Sequence, residues 1–178
     1  MPVANTLPDP AVLSFVGAGK EGRVYRLDGT RCVKYYNHAK YQRRELAALT
    51  RGAGDPLLPR VHSWGRSYVI REYIEGTALF DYLSAHPLTR DLAVKILQMH
   101  ETLIRLGFHR ADLRLSHVIL TPDGRLRVID PTNMMKDHRT FPRKLLYDLE
   151  RLGKREEFLA WTARLRPDVY RRWQEHLR

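Results

Sequence analysis

Cysteine is nearly absent from the sequence, since Cys32 is the only one among 178 residues. One thiol cannot close a disulfide within the chain, and it cannot supply the several thiolates of a cysteine-rich zinc site. The fold must therefore be stabilised by the burial of apolar side chains. A chain of this length buries roughly 70% of its unfolded surface on folding, which is enough for a core without covalent staples.

Long apolar runs are also missing. No stretch approaches the roughly 20 apolar residues that a membrane-spanning helix needs. The N-terminal sequence lacks the basic start and apolar core of a secretory signal. Together with the single reduced cysteine, these features predict a cytoplasmic protein with no transmembrane segment, built as one domain or as two small lobes.

Acidic residues are fewer than basic ones. The sequence has 20 Asp and Glu and 31 Lys and Arg, which gives a net charge of +11. A basic surface raises the local concentration of nucleotides, nucleic acid or anionic lipid. The excess is spread along the chain, without a run of five or six like charges. Two interpretations stay open: an ordinary basic surface, or a dedicated site for nucleic acid or another anionic surface.

The first part of the chain has the pattern of a small antiparallel sheet. Residues 1–11 contain three prolines and predict an irregular arm. Apolar runs then flank Asp28-Gly29, a strong hairpin signal. Residues 38–50 predict a helix, and residues 60–64 and 67–73 fit two more strands. We therefore expect about five strands and one helix over residues 12–75.

The pattern becomes helical after Gly76. Residues 77–85 predict a short helix, and Thr89 can cap a long one that ends at Gly107. Two short strands follow at 117–121 and 126–130, and the remainder is helical. Residues 76–178 therefore form a second, mainly helical part.

A glycine-rich turn offers the first candidate chemistry. Gly17, Gly19 and Gly22 stand between two predicted strands, where glycine lets backbone N–H groups surround a phosphate without an intervening Cβ. Val24 continues into a strand, which disfavours a dinucleotide-binding turn, because that motif opens a helix. The alternative is a glycine-rich hairpin that binds nothing.

A lysine inside an apolar strand is the second candidate. Lys34 follows Cys32-Val33, and burying its charge is costly unless the charge is paired. Glu45 on the following helix could pair with it, and so could the phosphates of a nucleotide. The alternative is a strand lysine whose ammonium group reaches solvent.

Two aspartates complete the candidates. Asp112 stands in a loop between the long helix and a strand, where a carboxylate can accept the proton of a hydroxyl group. Asp130 ends an apolar strand, where a carboxylate can bind Mg²⁺ together with phosphate oxygens. Taken alone, Asp112 is more often a turn or capping residue, and Asp130 could equally belong to an Asp-Pro turn.

The order of these parts is more informative than any one of them. Glycine turn, strand lysine, helix glutamate, loop aspartate and strand-end aspartate follow each other as in protein-kinase-type phosphotransferases. Over roughly residues 13–150 the chain resembles the protein-kinase-like superfamily, in particular compact bacterial serine/threonine-kinase-like proteins, and more distantly RIO and lipopolysaccharide-core kinases. The resemblance implies an α+β, bilobal fold. Its N-lobe (12–75) would be a five-stranded antiparallel sheet with one helix, and its C-lobe (76–178) minimal and helical.

The resemblance also implies roles for individual residues. Lys34 would be a catalytic residue that holds nucleotide phosphates while paired with Glu45, and Asp112 would be the catalytic aspartate. Asp130 would bind Mg²⁺. The other nucleotide-binding positions would be Gly17, Gly19, Gly22, Val24 and the backbone groups of Glu72 and Ile74, which would face adenine.

The chain departs from the family pattern at several places. His117 stands where kinases place a metal-binding asparagine, and imidazole suits transition metals better than Mg²⁺, so Mn²⁺ is also possible. Arg71 falls at the position that lies beside adenine, where it could pair with an acid or partly fill the pocket. Only 48 residues follow Asp130, without an Ala-Pro-Glu motif. We therefore expect little or no activation segment.

The function that this resemblance implies is ATP-dependent phosphate transfer, with a Ser/Thr protein as the default acceptor by analogy. The alternative from another class is a nucleotide-binding pseudokinase that acts as a partner- or polyanion-binding module. A small-molecule kinase of the aminoglycoside-phosphotransferase type is a third interpretation, although such enzymes normally carry a larger helical substrate lobe.

Overall fold

The computed structural model of the chain describes residues 9–108, 113–131 and 141–177. The chain divides into two compact units, Met1–Ile74 and Glu75–Arg178, called here the N-terminal and C-terminal units. Residues 1–8 of the predicted arm lie outside the described residues, and Pro10–Val12 form one turn of 3₁₀ helix.

The N-terminal unit contains the predicted five-stranded antiparallel sheet, with strands in the order β1-β2-β3-β5-β4. Asp28 shapes the loop between the second and third strands, because its carboxylate accepts the backbone N–H groups of Thr30 and Arg31, both at 2.8 Å. The strands are β1 (Ser14–Gly19), β2 (Gly22–Arg26), β3 (Arg31–Tyr36), β4 (Val61–Trp64) and β5 (Tyr68–Glu72).

One helix, α1 (Ala39–Arg51), accompanies this sheet and closely matches the predicted range of 38–50. Its buried residues recur at helical spacing and so form one face. That face carries the polar side chains of Gln42 and Glu45 and the apolar side chains of Ala48 and Leu49. A charged residue on the buried face of a helix must find its partners inside the fold.

The C-terminal unit is mainly helical and contains a three-stranded sheet in the order β6-β7-β8. Its strands are β6 (Thr77–Ala78), β7 (Val118–Leu120) and β8 (Leu126–Val128). Its helices are α2 (Leu79–Ala85), α3 (Arg90–Arg105), α4 (Arg143–Arg151), α5 (Arg155–Leu165) and α6 (Pro167–Leu177). Within the described ranges, no helix is both long enough and apolar enough to cross a membrane.

One predicted helix of this unit is confirmed with a start that differs by two residues. The helix expected at 77–85 begins only at Leu79, because Thr77 and Ala78 pair with β7 as a short strand. Gly76 makes this approach possible, since a Cβ there would lie 2.3 Å from the carbonyl oxygen of Leu120. The pairing depends on a partner more than 40 residues away, which local periodicity does not reveal.

The long helix α3 has the predicted ends. The Thr89 hydroxyl accepts the N–H of Leu92 at 3.3 Å and caps its N-terminus. Gly107 follows its last turn with φ 78°, the left-handed conformation that favours glycine. The apolar face of α3 is buried, apart from the exposed Ile104.

Candidate functional site

The sheet of the N-terminal unit aligns several predicted site residues in one row. Gly17 pairs with Val24, Val24 pairs with Lys34, and Lys34 pairs with Val69. Directly paired residues of antiparallel strands point to the same face of a sheet. The row therefore places Lys34 between apolar neighbours, on the same face as Gly17 of the glycine-rich turn.

Lys34 is buried and forms an ion pair with Glu45. Its Nζ lies 2.5 Å from Oε2 of Glu45, whose side chain is 0% exposed. The ammonium group also lies 5.1 Å from the centre of the Tyr36 ring. Burying either charge alone would be costly, so each makes the burial of the other possible. The structure thus brings together these two residues, which the sequence places 11 positions apart.

Arg71 is a second buried cation beside the same carboxylate. Its Nε lies 3.5 Å from Oε1 of Glu45, and its side chain is 6% exposed. Its strand neighbour Cys32 donates a weak hydrogen bond to the carbonyl oxygen of Glu72 at 3.7 Å. Burial raises the pKa of the Cys32 thiol, with Arg71 acting in the opposite direction. The thiol is therefore a packing group at neutral pH rather than a nucleophile.

The glycine-rich turn is attached to the sheet by Asn37. Its backbone N–H donates to the carbonyl oxygen of Glu21 at 2.9 Å, and its side-chain amide donates to that of Lys20 at 3.1 Å. A carboxylate oxygen of Glu21 lies within 4.8 Å of one of Glu45. The turn therefore adds an acidic group to the neighbourhood of Lys34 and Arg71.

The three glycines of the motif differ in what surrounds them. A Cβ at Gly22 would lie 1.9 Å from the carbonyl oxygen of Tyr35, so the sheet itself requires glycine there. A Cβ at Gly17 or Gly19 would meet no atom within 4 Å. Only these two positions leave space that a ligand could use.

The end of β5 holds the two predicted adenine-facing positions. The backbone N–H of Glu72 donates to the carbonyl oxygen of Arg60 at 2.8 Å. Its side chain accepts the Arg60 N–H at 3.1 Å. Ile74 lies beyond the strand, as the last residue of the N-terminal unit. Contact of either residue with a nucleotide stays a prediction.

In the C-terminal unit, His117 and Asp130 lie at the same end of the β7–β8 hairpin. His117 directly precedes β7, and Asp130 follows β8 by two residues. Val118 pairs with Val128, and the N–H of Ile129 donates to the carbonyl oxygen of His117 at 2.9 Å. The two candidate metal ligands therefore flank one backbone hydrogen bond, and a metal ion bound by both stays a prediction.

The predicted catalytic residue Asp112 lies outside the described residues. The segment after it is anchored by Asp148, a carboxylate that is 1% exposed. Asp148 accepts the N–H of Leu115 at 2.9 Å and pairs with Nη2 of Arg114 at 3.0 Å. Our sequence reasoning missed this residue. The available signal was an acid at position 148, within the apolar stripe of α4 that contains Leu145 and Leu149.

Comparisons with known proteins agree with this architecture. No protein-family model matches the sequence. The chain is 26% identical over 124 residues to the Bacillus subtilis (strain 168) protein named "Putative serine/threonine-protein kinase YrzF". The matched part is 66% of this chain, and the chain spans 58% of that protein's length.

The fold is similar to the PknI kinase domain of Mycobacterium tuberculosis, seen in a crystal structure of a mutant of that domain. The TM-score is 0.56 at 18% sequence identity, covering 78% of this chain and 71% of that one. At this identity the likeness shows the fold, which is protein-kinase-like. The more distant resemblance to RIO and lipopolysaccharide-core kinases stays a prediction. The two likenesses together support a resemblance of this chain to the protein-kinase-like superfamily.

Proposed function

We propose that this chain is an ATP-dependent phosphotransferase that acts on serine or threonine side chains of proteins. The observation that carries the proposal is the buried Lys34–Glu45 ion pair on the sheet of a kinase-like fold. An ammonium group carries three N–H donors, so a lysine paired with a carboxylate can also contact phosphate oxygens. The serine/threonine preference is supported only by the name of the relative and by family analogy.

The residues of the N-terminal unit fit the triphosphate of ATP. Lys34 supplies a cation, and the open positions at Gly17 and Gly19 leave room for phosphates beside backbone N–H groups. Val24 supplies an apolar neighbour in the same row as Lys34. In this proposal the carbonyl oxygen of Glu72 and the backbone groups of Ile74 contact adenine, because the N–H of Glu72 already donates to Arg60.

The C-terminal unit would supply the proton acceptor and the metal ligands. Asp112 would orient the acceptor hydroxyl and take its proton. Asp130 offers the carboxylate oxygens that Mg²⁺ prefers, whereas His117 offers imidazole, which favours Mn²⁺. Either bound ion would supply positive charge to the phosphate oxygens. Asp148 would position the backbone that follows Asp112.

Calorimetric titration with ATP tests the binding half of this proposal. We expect ATP to bind in the presence of Mg²⁺ or Mn²⁺ and to bind much more weakly in EDTA. Lys34→Met and Asp130→Asn should each weaken metal-dependent binding. Asp168→Asn is the matched control for the second variant, because Asp168 is an exposed residue of α6 and should leave binding unchanged.

Transfer of labelled phosphate tests the catalytic half. Wild type and Asp112→Ala would be compared on a serine- and threonine-containing peptide library, on the protein itself and on water. We expect Asp112→Ala to lose on the order of a hundredfold or more in transfer rate. Equal rates for the two proteins would show that Asp112 is not the proton acceptor and would contradict phosphate transfer by this site.

A second candidate function is a nucleotide-binding pseudokinase, which the histidine at position 117 favours. It predicts ATP binding that does not depend on metal, with no transfer above that of Asp112→Ala. Its partner would be a protein or a polyanion, the latter suggested by the net charge of +11. Binding to RNA that weakens steeply with salt would support the polyanion. The polyanion partner and the cytoplasmic location both stay predictions.

A further inference from the structure

Arg71 occupies a position on β5 from which it shares the partner of Lys34. It pairs with Cys32 across the strands, while Lys34 pairs with Val69. Cys32 and Lys34 are two residues apart on β3, so Arg71 and Lys34 are diagonal neighbours on one face of the sheet. Both side chains are buried, at 6% and 7% exposure. Their closeness brings two positive charges into the same low-dielectric region.

The two cations contact different oxygens of one carboxylate. Lys34 lies against Oε2 of Glu45, and Arg71 lies against Oε1. The Lys34 contact is a hydrogen-bonded ion pair, whereas the Arg71 contact at 3.5 Å is an ion pair alone, so the carboxylate has a charged partner at each oxygen. It keeps one ion-pair partner when the other shifts toward a ligand. Arg71 can therefore hold Glu45 in place while Lys34 turns toward phosphate oxygens.

The formal charge of this group of side chains depends on Arg71. Lys34 and Arg71 contribute two positive charges, and the carboxylates of Glu45 and the neighbouring Glu21 are among the negative charges that these cations offset. Replacing Arg71 by an uncharged side chain makes this group more negative by one unit charge. A negative group beside the phosphate-binding lysine opposes the entry of a polyphosphate.

We propose that Arg71 is a positioning residue of the nucleotide site. It acts on the binding of the phosphates through Glu45 and does not contact the base. The inference rests on the proposed function, since it concerns how the same site binds ATP. Arg71 orients the carboxylate and balances its charge, so that the ammonium group of Lys34 is available to the triphosphate.

Adenosine and ATP together separate this proposal from its competitors. Both carry the base, and only ATP carries phosphates. We expect Arg71→Met to weaken MgATP binding on the order of tenfold, the effect of one unit charge a few side chains away. Adenosine binding should stay within about twofold of wild type. Arg71→Lys keeps a cation and should stay within about threefold for both ligands.

The test includes a double-mutant cycle with Glu45→Gln. Because Arg71 acts through Glu45, Arg71→Met should weaken MgATP binding much less in the Glu45→Gln background than in wild type. An equal loss in both backgrounds would show that Arg71 touches the nucleotide directly, which overturns the proposal. If Arg71→Met does not fold, Arg71→Gln takes its place, because its amide nitrogen occupies the same side-chain position as Nε of Arg71 and the charge is lost.

The remaining outcomes distinguish this proposal from the proposed function. If wild type binds both ligands and Arg71→Met changes neither affinity, Arg71 only stabilises the fold and this proposal alone is wrong. A change in adenosine affinity as large as the change for ATP would make Arg71 a wall of the base pocket, which also overturns it. If wild type binds neither ligand, the proposed function is wrong and this proposal falls with it.

Discussion

The two units of the chain satisfy their buried charges in different ways. In the N-terminal unit, Lys34 and Arg71 are compensated by another side chain, Glu45. In the C-terminal unit, Asp148 is compensated by the backbone N–H of Leu115 and by the partly exposed Arg114. Side chains compensate each other only while all are present, whereas a backbone donor survives any substitution nearby. The first unit should therefore be more sensitive to the loss of one charge.

The largest expected effect is the loss of Glu45. Glu45→Leu removes the anion that both buried cations contact, and we expect the free energy of unfolding to fall by about 3–5 kcal/mol. Urea denaturation monitored by circular dichroism measures this change. The control replaces all three charges together, as Lys34→Met, Glu45→Leu and Arg71→Met.

This triple variant should recover much of the lost stability, because well-packed apolar side chains often substitute for buried ion pairs without loss. It should nevertheless bind no ATP, since both cations are gone. A triple variant as unstable as Glu45→Leu would show that the single substitution acts by disturbing packing. The contrast between the two units would then rest on shape rather than on charge.

Asp148 should produce the next largest effect. Asp148→Ala removes a charged acceptor from a buried N–H group, which costs about 1.5–3 kcal/mol of unfolding free energy. Asp148→Asn keeps an acceptor and should cost less. Glu150→Ala, an exposed change on the same helix, is the matched control and should cost at most about 1 kcal/mol.

Catalysis provides the sharper measurement for Asp148. If the anchored segment positions Asp112, Asp148→Asn should lower the rate of phosphate transfer more than it lowers the affinity for ATP. Equal losses in the two quantities, or none, would mean that Asp148 serves the fold alone.

The glycines of the motif give a smaller effect that separates structure from function within one turn. Gly22→Ala forces a Cβ against the Tyr35 carbonyl, and overpacking of this kind costs about 1–3 kcal/mol. Gly17→Ala meets open space and should leave the urea midpoint unchanged or slightly higher, because alanine loses less entropy on folding than glycine. Yet Gly17→Ala should weaken ATP binding. Unchanged ATP binding would remove Gly17 from the proposed site.

The sequence predicted the N-terminal unit well because its signals are local. A hairpin turn at Asp28-Gly29 and alternating apolar residues determine the strands, and the confirmed sheet follows from them. The pairing of Lys34 with Glu45 was accessible because a lysine in an apolar strand requires an anion. The sequence could not show that the sheet requires glycine at position 22, because this requirement comes from a carbonyl group on the neighbouring strand.

The C-terminal unit was predicted less completely because its decisive contacts are distant in sequence. Asp148 reaches Leu115 across 33 residues, and Thr77 pairs with Leu120. Neither contact leaves a periodic pattern. Helix ends such as Thr89 and Gly107 were predicted, because capping depends on residues within one turn.

The smallest expected effect concerns two exposed aspartates, one in a hairpin of each unit. Hydrogen bonds from the Thr30 N–H and from Arg31 hold the pKa of Asp28 well below its usual range. Hydrogen bonds from Arg125 and from Thr121 lower the pKa of Asp123 to about 2. Because both pKa values are lower in the folded chain than the ordinary value of 3.8, the ionised carboxylates stabilise the fold at pH values above 3.8. This stabilisation is lost as the pH falls through the lowered pKa.

Asp28→Asn and Asp123→Asn should therefore lower the urea midpoint slightly at neutral pH, and both differences from wild type should shrink on acidification. The difference for Asp123 should be lost as the pH falls from 3.8 to about 2. The difference for Asp28 should persist to lower pH, because its pKa is lowered further and two backbone N–H groups contribute. Added salt should reduce both effects, since the groups are exposed. If Asp123 kept its contribution at a lower pH than Asp28, the backbone donors would not be the stronger anchors, and the contrast drawn between Asp148 and the Lys34–Glu45–Arg71 group would lose its support.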